Sequence, residues 1–442
     1  MYKISKGKAA MGLSLALSGS LIVLPNLARA EGGQGSAAGK PPTAAAAQNA
    51  GMGSQARVSE AANEIYRVAQ EDPATGYAGI VISTTGAGYT LSWKGDIPQE
   101  VASLVSTHRG KGITVSVMAS KYTFKELDDQ ARKIIKSGVT VGGTPIVSAG
   151  ASSDGNSLTI GVDSSGLPVG NALGNQKEAG AIPSSISGGM PVVLTEEKSP
   201  TDIADPSARY SGPARLGFYG GQLLSTPKGV CSAGFGAYSP QTGRTYVITA
   251  EHCVKGVGDV IKNPLGETVG KVVDVQEAAD SALIEVTNGG ALDWMYTGYG
   301  VGMYHSARKV RGHHQTFLGE LMCTNGALMG ERCGARVIKV NQWVKSDGKE
   351  RNVNQVEQIA GRYLAGSGDS GGPVFSYGVD GLVTARGILS MTSAGEACKD
   401  PRPGKKKRIN CSDRAWVTGI YGNLTGHWKV AAQLRVTDFS GK

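Results

Sequence analysis

The sequence is poor in several features that would place it in a familiar class of protein. Aromatic residues make up only 6% of its 442 residues, and no stretch after residue 30 is apolar enough to span a bilayer. The net charge of +9 is too diffuse to indicate nucleic acid. His313 and His314 have no spaced third ligand and are predicted to form a surface pair. The glycine run at 298–302 lacks the strand–helix setting of a nucleotide loop. The sequence therefore implies neither a metal nor a cofactor.

The N-terminal thirty residues have the pattern of a secretory signal. Lys3, Lys6 and Lys8 precede an apolar run that ends in Ala28-Arg29-Ala30. Small residues at these positions predict cleavage after Ala30 and a secreted, extracellular product. An uncleaved membrane anchor is the alternative, but the run is short for a spanning helix.

Cysteine is absent before residue 231, and all six cysteines lie between Cys231 and Cys411. In an exported chain an even number of cysteines predicts disulfides. Pairing neighbours in the sequence gives Cys231–Cys253, Cys323–Cys333 and Cys398–Cys411. Six cysteines allow fifteen pairing schemes, so other pairings stay open.

Composition divides the rest of the chain into four segments. Residues 31–56 are rich in Gly, Ala, Pro and Gln and are predicted to be disordered. Residues 57–165 alternate helical and strand patterns, with Ser59 as a helix cap, and predict a small α+β domain. Residues 166–212 read as a linker that contains the maturation site. Residues 213–442 contain short strands between glycine turns, with a helix candidate at 427–436, and predict an all-β barrel or sandwich.

Three short motifs in the last segment carry candidate catalytic residues. His252 lies in "ITAEHCV", Asp280 in "DSALIEV" and Ser370 in "AGSGDSGGPVF". A serine needs a base to take its proton, a histidine can do so near neutral pH, and an aspartate can orient the imidazole. Other candidates for the acid are Asp259, Asp274 and Asp293. Asp280 is favoured because it opens an apolar strand, where a carboxylate would be buried.

The three motifs together resemble the chymotrypsin-like serine peptidases, in the patterns T-A-x-H-C, D-x-A-L-I and G-D-S-G-G-P. Short loops and the segment "MCTNGALMGERCG" are closer to the secreted bacterial branch, the streptogrisins and α-lytic peptidase. The resemblance covers about residues 213–436 and implies a two-barrel antiparallel β fold. It also implies that the N–H groups of Gly368 and Ser370 form an oxyanion hole.

The resemblance extends to the substrate-binding residues. "GILSMTS" is similar to the strand that pairs with the substrate, which implies that Ser390 bonds to the triad aspartate while Met391 and Thr392 line the primary pocket. An ordinary core strand is the alternative. Leu364 replaces the acid of trypsin-like enzymes, so an apolar or small substrate side chain is expected.

One position departs from the family pattern beside the nucleophile. Related enzymes often carry an arginine that neutralises the acid next to the serine, but here that position is Thr324. Arg332, Arg336 or a freed N-terminus are the candidate partners of Asp369. A buried, unpaired Asp369 would be costly.

These observations predict a secreted serine endopeptidase made as an inactive pre-pro-protein, active as a monomer on protein or peptide substrates. The α+β domain would act as its own folding aid and inhibitor, since non-local β folds form slowly. One alternative is a secreted binding module on a catalytically dead peptidase fold. Another keeps the enzyme and treats the N-terminal domain as a permanent targeting module.

Overall fold

The computed structural model describes residues 44–71, 75–163, 184–202, 218–239, 242–287, 289–298, 306–393, 395–399 and 408–420. The predicted signal peptide, the helix candidate at 427–436 and most of the predicted linker lie outside the described residues. No helix in the described ranges combines the length and apolarity needed to cross a membrane.

The first part of the chain, residues 44–202, contains all four α-helices of the described residues. Its elements, in chain order, are α1 Ala44–Glu71, β1 Tyr77–Ile82, β2 Gly88–Trp93, α2 Gln99–Gly110, β3 Thr114–Ala119, α3 Phe124–Ser137, β4 Thr140–Val141, β5 Thr144–Ala151, β6 Leu158–Asp163, α4 Ser184–Ser187, β7 Val192–Glu197 and β8 Pro200–Asp202. The helices and strands expected between residues 77 and 163 are therefore present.

Helix α1 corrects two expectations. It begins at Ala44, inside the segment predicted to be disordered. Its first four residues are alanines, and alanine has the highest helix propensity of all residue types. Ser59 consequently lies within the helix and caps nothing; its hydroxyl is buried and bonds to Glu320. Helix α3 begins with a capping box between Thr123 and Glu126 and ends at Gly138, which is in the left-handed region (φ 65°).

The predicted linker contains two strands that join larger sheets. Strand β7 pairs in parallel with β6, and β6 pairs with β5. Strand β8 pairs with a strand far along the chain, described below. Residues 192–202 are therefore not a plain linker. Their pairing is non-local, and composition alone does not reveal it.

Residues 218–297 form the first half of the all-β region. Its strands are β9 Phe218–Gly220, β10 Leu223–Thr226, β11 Gly229–Ser232, β12 Gly236–Tyr238, β13 Thr245–Thr249, β14 Val260–Lys262, β15 Thr268–Gln276, β16 Ser281–Val286 and β17 Ala291–Thr297. Seven of them make one sheet, in the order β11-β10-β14-β15-β16-β13-β12. Apolar side chains from these strands, such as Val247, Val272 and Ile284, fill its interior.

The second half comprises residues 306–420. Its strands are β18 Ser306–His313, β19 Leu321–Gly326, β20 Gly330–Ser346, β21 Lys349–Gln358, β22 Ala365–Gly366, β23 Pro373–Tyr377, β24 Val383–Ser393, β25 Glu396–Lys399, β26 Arg408–Ser412 and β27 Arg414–Gly419. Six strands close into a ring, β20-β19-β23-β24-β27-β21 and back to β20. Closure pairs both edges of every strand in the ring. The prediction of an all-β, two-barrel domain after an α+β portion is confirmed.

Two strands of the first part extend the second barrel. β5 pairs with β20 through Ala149 opposite Trp343, and β8 pairs with β24 through Thr201 opposite Thr392. Helix α1 adds side-chain contacts, including two hydrogen bonds between Gln55 and the backbone of Leu321. The N-terminal elements thus lie directly against the half that contains Ser370.

Candidate active site

His252 and Asp280 lie at the ends of neighbouring strands of the first half. His252 is on a single 3-10 turn, Glu251–Cys253, which follows β13 and is tied by the Cys231–Cys253 disulfide. Asp280 ends the 3-10 turn Glu277–Ala279, just before β16, in the left-handed region (φ 40°). Aspartate is among the few non-glycine residues that tolerate this conformation. Pairing of β13 with β16 brings the two residues together.

The three predicted catalytic side chains form one hydrogen-bonded chain. The His252 Nδ1 lies 2.9 Å from Asp280 Oδ2, and the His252 backbone N–H donates to Asp280 Oδ1 at 3.0 Å. On the other side, His252 Nε2 lies 2.7 Å from Ser370 Oγ. All three residues are buried, Ser370 and Asp280 completely. With the proton on Nδ1 facing Asp280, Nε2 is free to accept from the serine hydroxyl.

The charges of His252 and Asp280 set the protonation state of each other. Burial alone would lower the pKa of His252, but the charge of Asp280 and its hydrogen bond outweigh burial and raise it above the ordinary value. Burial alone would raise the pKa of Asp280, but His252 and Arg351 hold it well below its usual range. The imidazole is therefore a stronger base than a free histidine, and its partner stays ionised.

The loop before and after Ser370 is shaped by glycines. Gly368 has φ 96° and Gly371 has φ 82°, conformations that other residues rarely adopt. A Cβ on Gly371 would also lie 2.3 Å from Thr249 Oγ1, so the loop packs tightly on β13. The Ser370 carbonyl accepts from the backbone of Ser232 at 2.7 Å, which fixes the turn.

Neither Arg332 nor Arg336 forms a salt bridge with Asp369 in the described part of the chain, and a freed N-terminus, the third candidate, does not exist in the uncut chain. The Asp369 carboxylate accepts backbone N–H groups from Leu328 at 2.9 Å, Met329 at 3.1 Å and Gly366 at 2.9 Å. Burial raises its pKa to about 6, against these three hydrogen bonds and the more distant charge of Arg332. The expected side-chain partner is replaced by backbone donors.

The predicted substrate-binding residues are Ser390, Met391, Thr392 and Leu364. The Ser390 hydroxyl donates to Asp280 Oδ2. Met391 and Thr392 follow on β24 and pair with Asp202 and Thr201 of β8. Leu364 is 1% exposed and packs with core residues such as Val374 and Leu389. Residues 391–393 thus pair with a segment of the chain itself.

The remaining predicted residues lie away from this site. Asp259 accepts the backbone N–H of Lys255, Asp274 accepts that of Val275 within β15, and Asp293 faces Lys309. Cysteines are joined in the same pairs that the sequence suggested, Cys231–Cys253, Cys323–Cys333 and Cys398–Cys411. His313 and His314 are half-buried instead of exposed, and burial lowers the pKa of each, to about 4 and about 3.

Sequence reasoning missed Arg351 and Asp202. Arg351 is 1% exposed; its Nη2 lies 3.5 Å from Asp280 Oδ1 and its Nη1 lies 2.6 Å from Asp202 Oδ1. No motif marks either residue, because they are far apart in the sequence and meet only through the pairing of β8 with β24. The single available signal was a basic residue at an inward position of a strand.

Comparisons with known proteins concern fold. No protein-family model matches the chain, and no curated protein matches it. Among solved structures, Thermobifida fusca Protease A is 21% identical, with a TM-score of 0.36, and the match covers 50% of this chain and 98% of that one. The Nocardiopsis protease NAPase is also 21% identical, with a TM-score of 0.35 and coverage of 50% and 98%. An alpha-lytic protease homolog, N4, is 22% identical, with a TM-score of 0.37 and coverage of 50% and 100%. These are similarities only, and they assign no role to any residue of this chain.

Proposed function

We propose that this chain is a secreted serine endopeptidase that hydrolyses peptide bonds through an acyl-enzyme and is made as an inactive pre-pro-protein. The observation that carries the proposal is the continuous hydrogen bonding from Asp280 through His252 to Ser370, at 2.9 and 2.7 Å between heavy atoms. A hydroxyl that donates to an imidazole, which in turn donates to a buried carboxylate, is arranged for nucleophilic attack.

The residues supply each step of the reaction. Ser370 Oγ attacks the carbonyl carbon of the scissile bond while its proton passes to His252 Nε2, and Asp280 stabilises the imidazolium. The oxyanion forms opposite the N–H groups of Gly368 and Ser370. His252 then gives its proton to the leaving amine as the C–N bond breaks. Water, deprotonated by the same imidazole, cleaves the ester, releases the carboxylic acid and restores Ser370.

The N-terminal part is proposed to keep this site closed until it is cut. Strand β8 pairs antiparallel with residues 391–393 of β24, the strand that the sequence assigns to substrate. Ser370 is completely buried in this arrangement, so no external peptide reaches its hydroxyl. Two further contacts hold the N-terminal part in place, a salt bridge between Lys339 and Glu197 at 3.0 Å and a hydrogen bond from Trp343 Nε1 to Asp128 at 2.8 Å.

The deciding experiment is the intact mass of the secreted protein after treatment with a fluorophosphonate. We expect one covalent adduct on the processed protein and none on Ser370→Ala. Ser225→Ala, which removes an exposed hydroxyl of β10, should keep the adduct. The same spectra give the N-terminus of the product. A processed, folded protein without an adduct would support the binding module instead, and an active product that still begins near residue 31 would support a permanent N-terminal module.

A further inference from the structure

A buried arginine beside the three catalytic candidates holds an acidic side chain that belongs to the blocking strand. Arg351 Nη1 donates to Asp202 Oδ1 at 2.6 Å, and the Ser346 hydroxyl lies 3.4 Å from the same oxygen. Arg351 is on β21, Ser346 ends β20, and both belong to one hairpin of the second barrel. This hairpin therefore presents a cation and a hydroxyl to the strand that pairs with β24.

The register of that pairing places the acidic side chain one residue before the position opposite Ser390. Asp202 is opposite Met391, and Thr201 is opposite Thr392, so the chain runs toward Ser390. Ser390 bonds to Asp280, and the peptide residue opposite Ser390 is therefore the one nearest to the catalytic side chains. Asp202 immediately precedes that position.

Charges around Arg351 leave its Nη1 donor available when Asp202 departs. Glu251 Oε2 and Asp280 Oδ1 are each 3.5 Å from Nη2, beyond a good hydrogen bond. Glu251 has its own cation in Lys349, at 2.7 Å, and Lys349 also faces Glu277 at 3.6 Å. Without Asp202, Nη1 keeps only the Met391 sulfur at 3.4 Å, a weak acceptor.

We propose that Arg351, assisted by Ser346, selects peptide substrates that carry aspartate or glutamate immediately before the residue attacked by Ser370. This inference rests on the proposed function and adds a substrate class to it. Residues 200–202 occupy the same place in the uncut chain and imitate such a substrate. A buried guanidinium binds a carboxylate far better than an amide of the same shape, because the charge-assisted bond is about twice as strong and a lone buried cation is costly.

The test compares two chromogenic peptides with the processed enzyme. One is acetyl-Pro-Thr-Asp-Ile-4-nitroanilide, which repeats the sequence of residues 200–203, and the other has Asn in place of Asp. We expect kcat/KM to be on the order of 10-fold to 100-fold higher for the Asp peptide, the range of a hydrogen bond to a charged group. Arg351→Met should bring the ratio near one, and Arg351→Lys should keep part of it.

Using a ratio separates substrate selection from general damage. Arg351 also lies near Asp280, so its variants lower both rates, but only loss of selection changes their ratio. Arg414→Met, which removes an arginine paired with Glu357 at 2.6 Å on neighbouring strands, should leave the ratio unchanged. If Arg351→Met does not fold, the wild-type ratio and Arg351→Lys decide the matter.

Each result has a distinct meaning. A wild-type ratio near one, or a ratio that Arg351→Met and Arg351→Lys leave unchanged, would overturn the proposed selection while the peptidase stands. If neither peptide is cut and the same preparation takes no fluorophosphonate, the proposed function fails, and the substrate class fails with it.

Discussion

The two parts of the chain differ in how they complete their cores. Residues 44–202 have two apolar clusters, and each includes an aromatic residue from the other part, Phe317 in one and Trp343 in the other. The main clusters of residues 218–420 contain only their own side chains. The second part also has three disulfides and a closed ring of strands, whereas the first has no cysteine. The first part therefore depends on the second far more than the reverse, which agrees with the proposal that the first part is removed.

The strongest challenge to this comparison is Phe317→Ala. The side chain is 2% exposed and contacts Tyr66 edge to face, with ring centroids 6.2 Å apart. Truncation of a buried phenylalanine costs about 3–5 kcal/mol, and we expect the loss to fall on residues 44–119. Hydrogen exchange of the Ser370→Ala chain should show faster exchange in α1 and β1–β3 than in β23 and β27. Equal acceleration in both parts would contradict the one-way dependence, and Phe317→Leu should give a smaller effect of the same kind.

Removal of the Cys231–Cys253 disulfide tests whether disulfides account for the stability of the second part. The bond spans 22 residues of sequence, and a loop of that size stabilises by about 3 kcal/mol in the chain-entropy account. We expect Cys231→Ala with Cys253→Ala, in the Ser370→Ala background, to lower the urea midpoint of the second part. An unchanged midpoint would show that the closed strands, not the disulfides, account for its independence.

Asp369 should make the free energy of unfolding of the second part depend on pH. Its folded pKa of about 6 is above the ordinary 3.8, so the folded state binds this proton more tightly than the unfolded state does. The stabilisation is fully present below about pH 4 and is lost as pH rises through 6, at a total of about 3 kcal/mol. Asp369→Asn does not titrate. The difference in unfolding free energy between it and the parent Ser370→Ala chain should therefore change by this amount between pH 4 and pH 7, in favour of the Asn variant as pH rises.

The control for this measurement is Ser225→Ala in the same background, which removes an exposed hydroxyl and no titratable group. Its difference from the parent should stay nearly flat with pH. A flat profile for Asp369→Asn as well would mean that the three backbone donors keep the buried carboxylate ionised in acid.

The smallest expected effect comes from the bond between Asp202 and Arg351, which joins the two parts directly. Asp202→Asn replaces the charged bond to Arg351 with a neutral one, and the aspartate side chain is only 23% exposed. Loss of a hydrogen bond to a charged group costs about 1.5–3 kcal/mol. Amides of residues 391–393 in the Ser370→Ala chain should exchange roughly 10-fold to 100-fold faster. Asp347→Asn, at the exposed end of the same hairpin, should change nothing.

Local patterns in the sequence predicted much of this arrangement. Alternating and helical patterns predicted the mixture of helices and strands after residue 57, and the three short motifs identified the side chains that meet at the candidate site. Features that depend on distant pairing were missed. Strand β8 carries no pattern of its own, since its partner lies almost two hundred residues later. Asp369 was expected to need a cation because backbone N–H donors have no signature in the sequence.

The pairing of β8 with β24 also determines how the closed state responds to concentration. Because strand β8 belongs to the same molecule, its effective concentration at β24 does not fall when the protein is diluted. In the secreted precursor that we propose, export into a large volume would therefore leave the uncut chain closed. The proposed cut would make the strand a separate ligand, which dilution would then remove. The same contacts would hold before the cut and release after it, with no change in their strength.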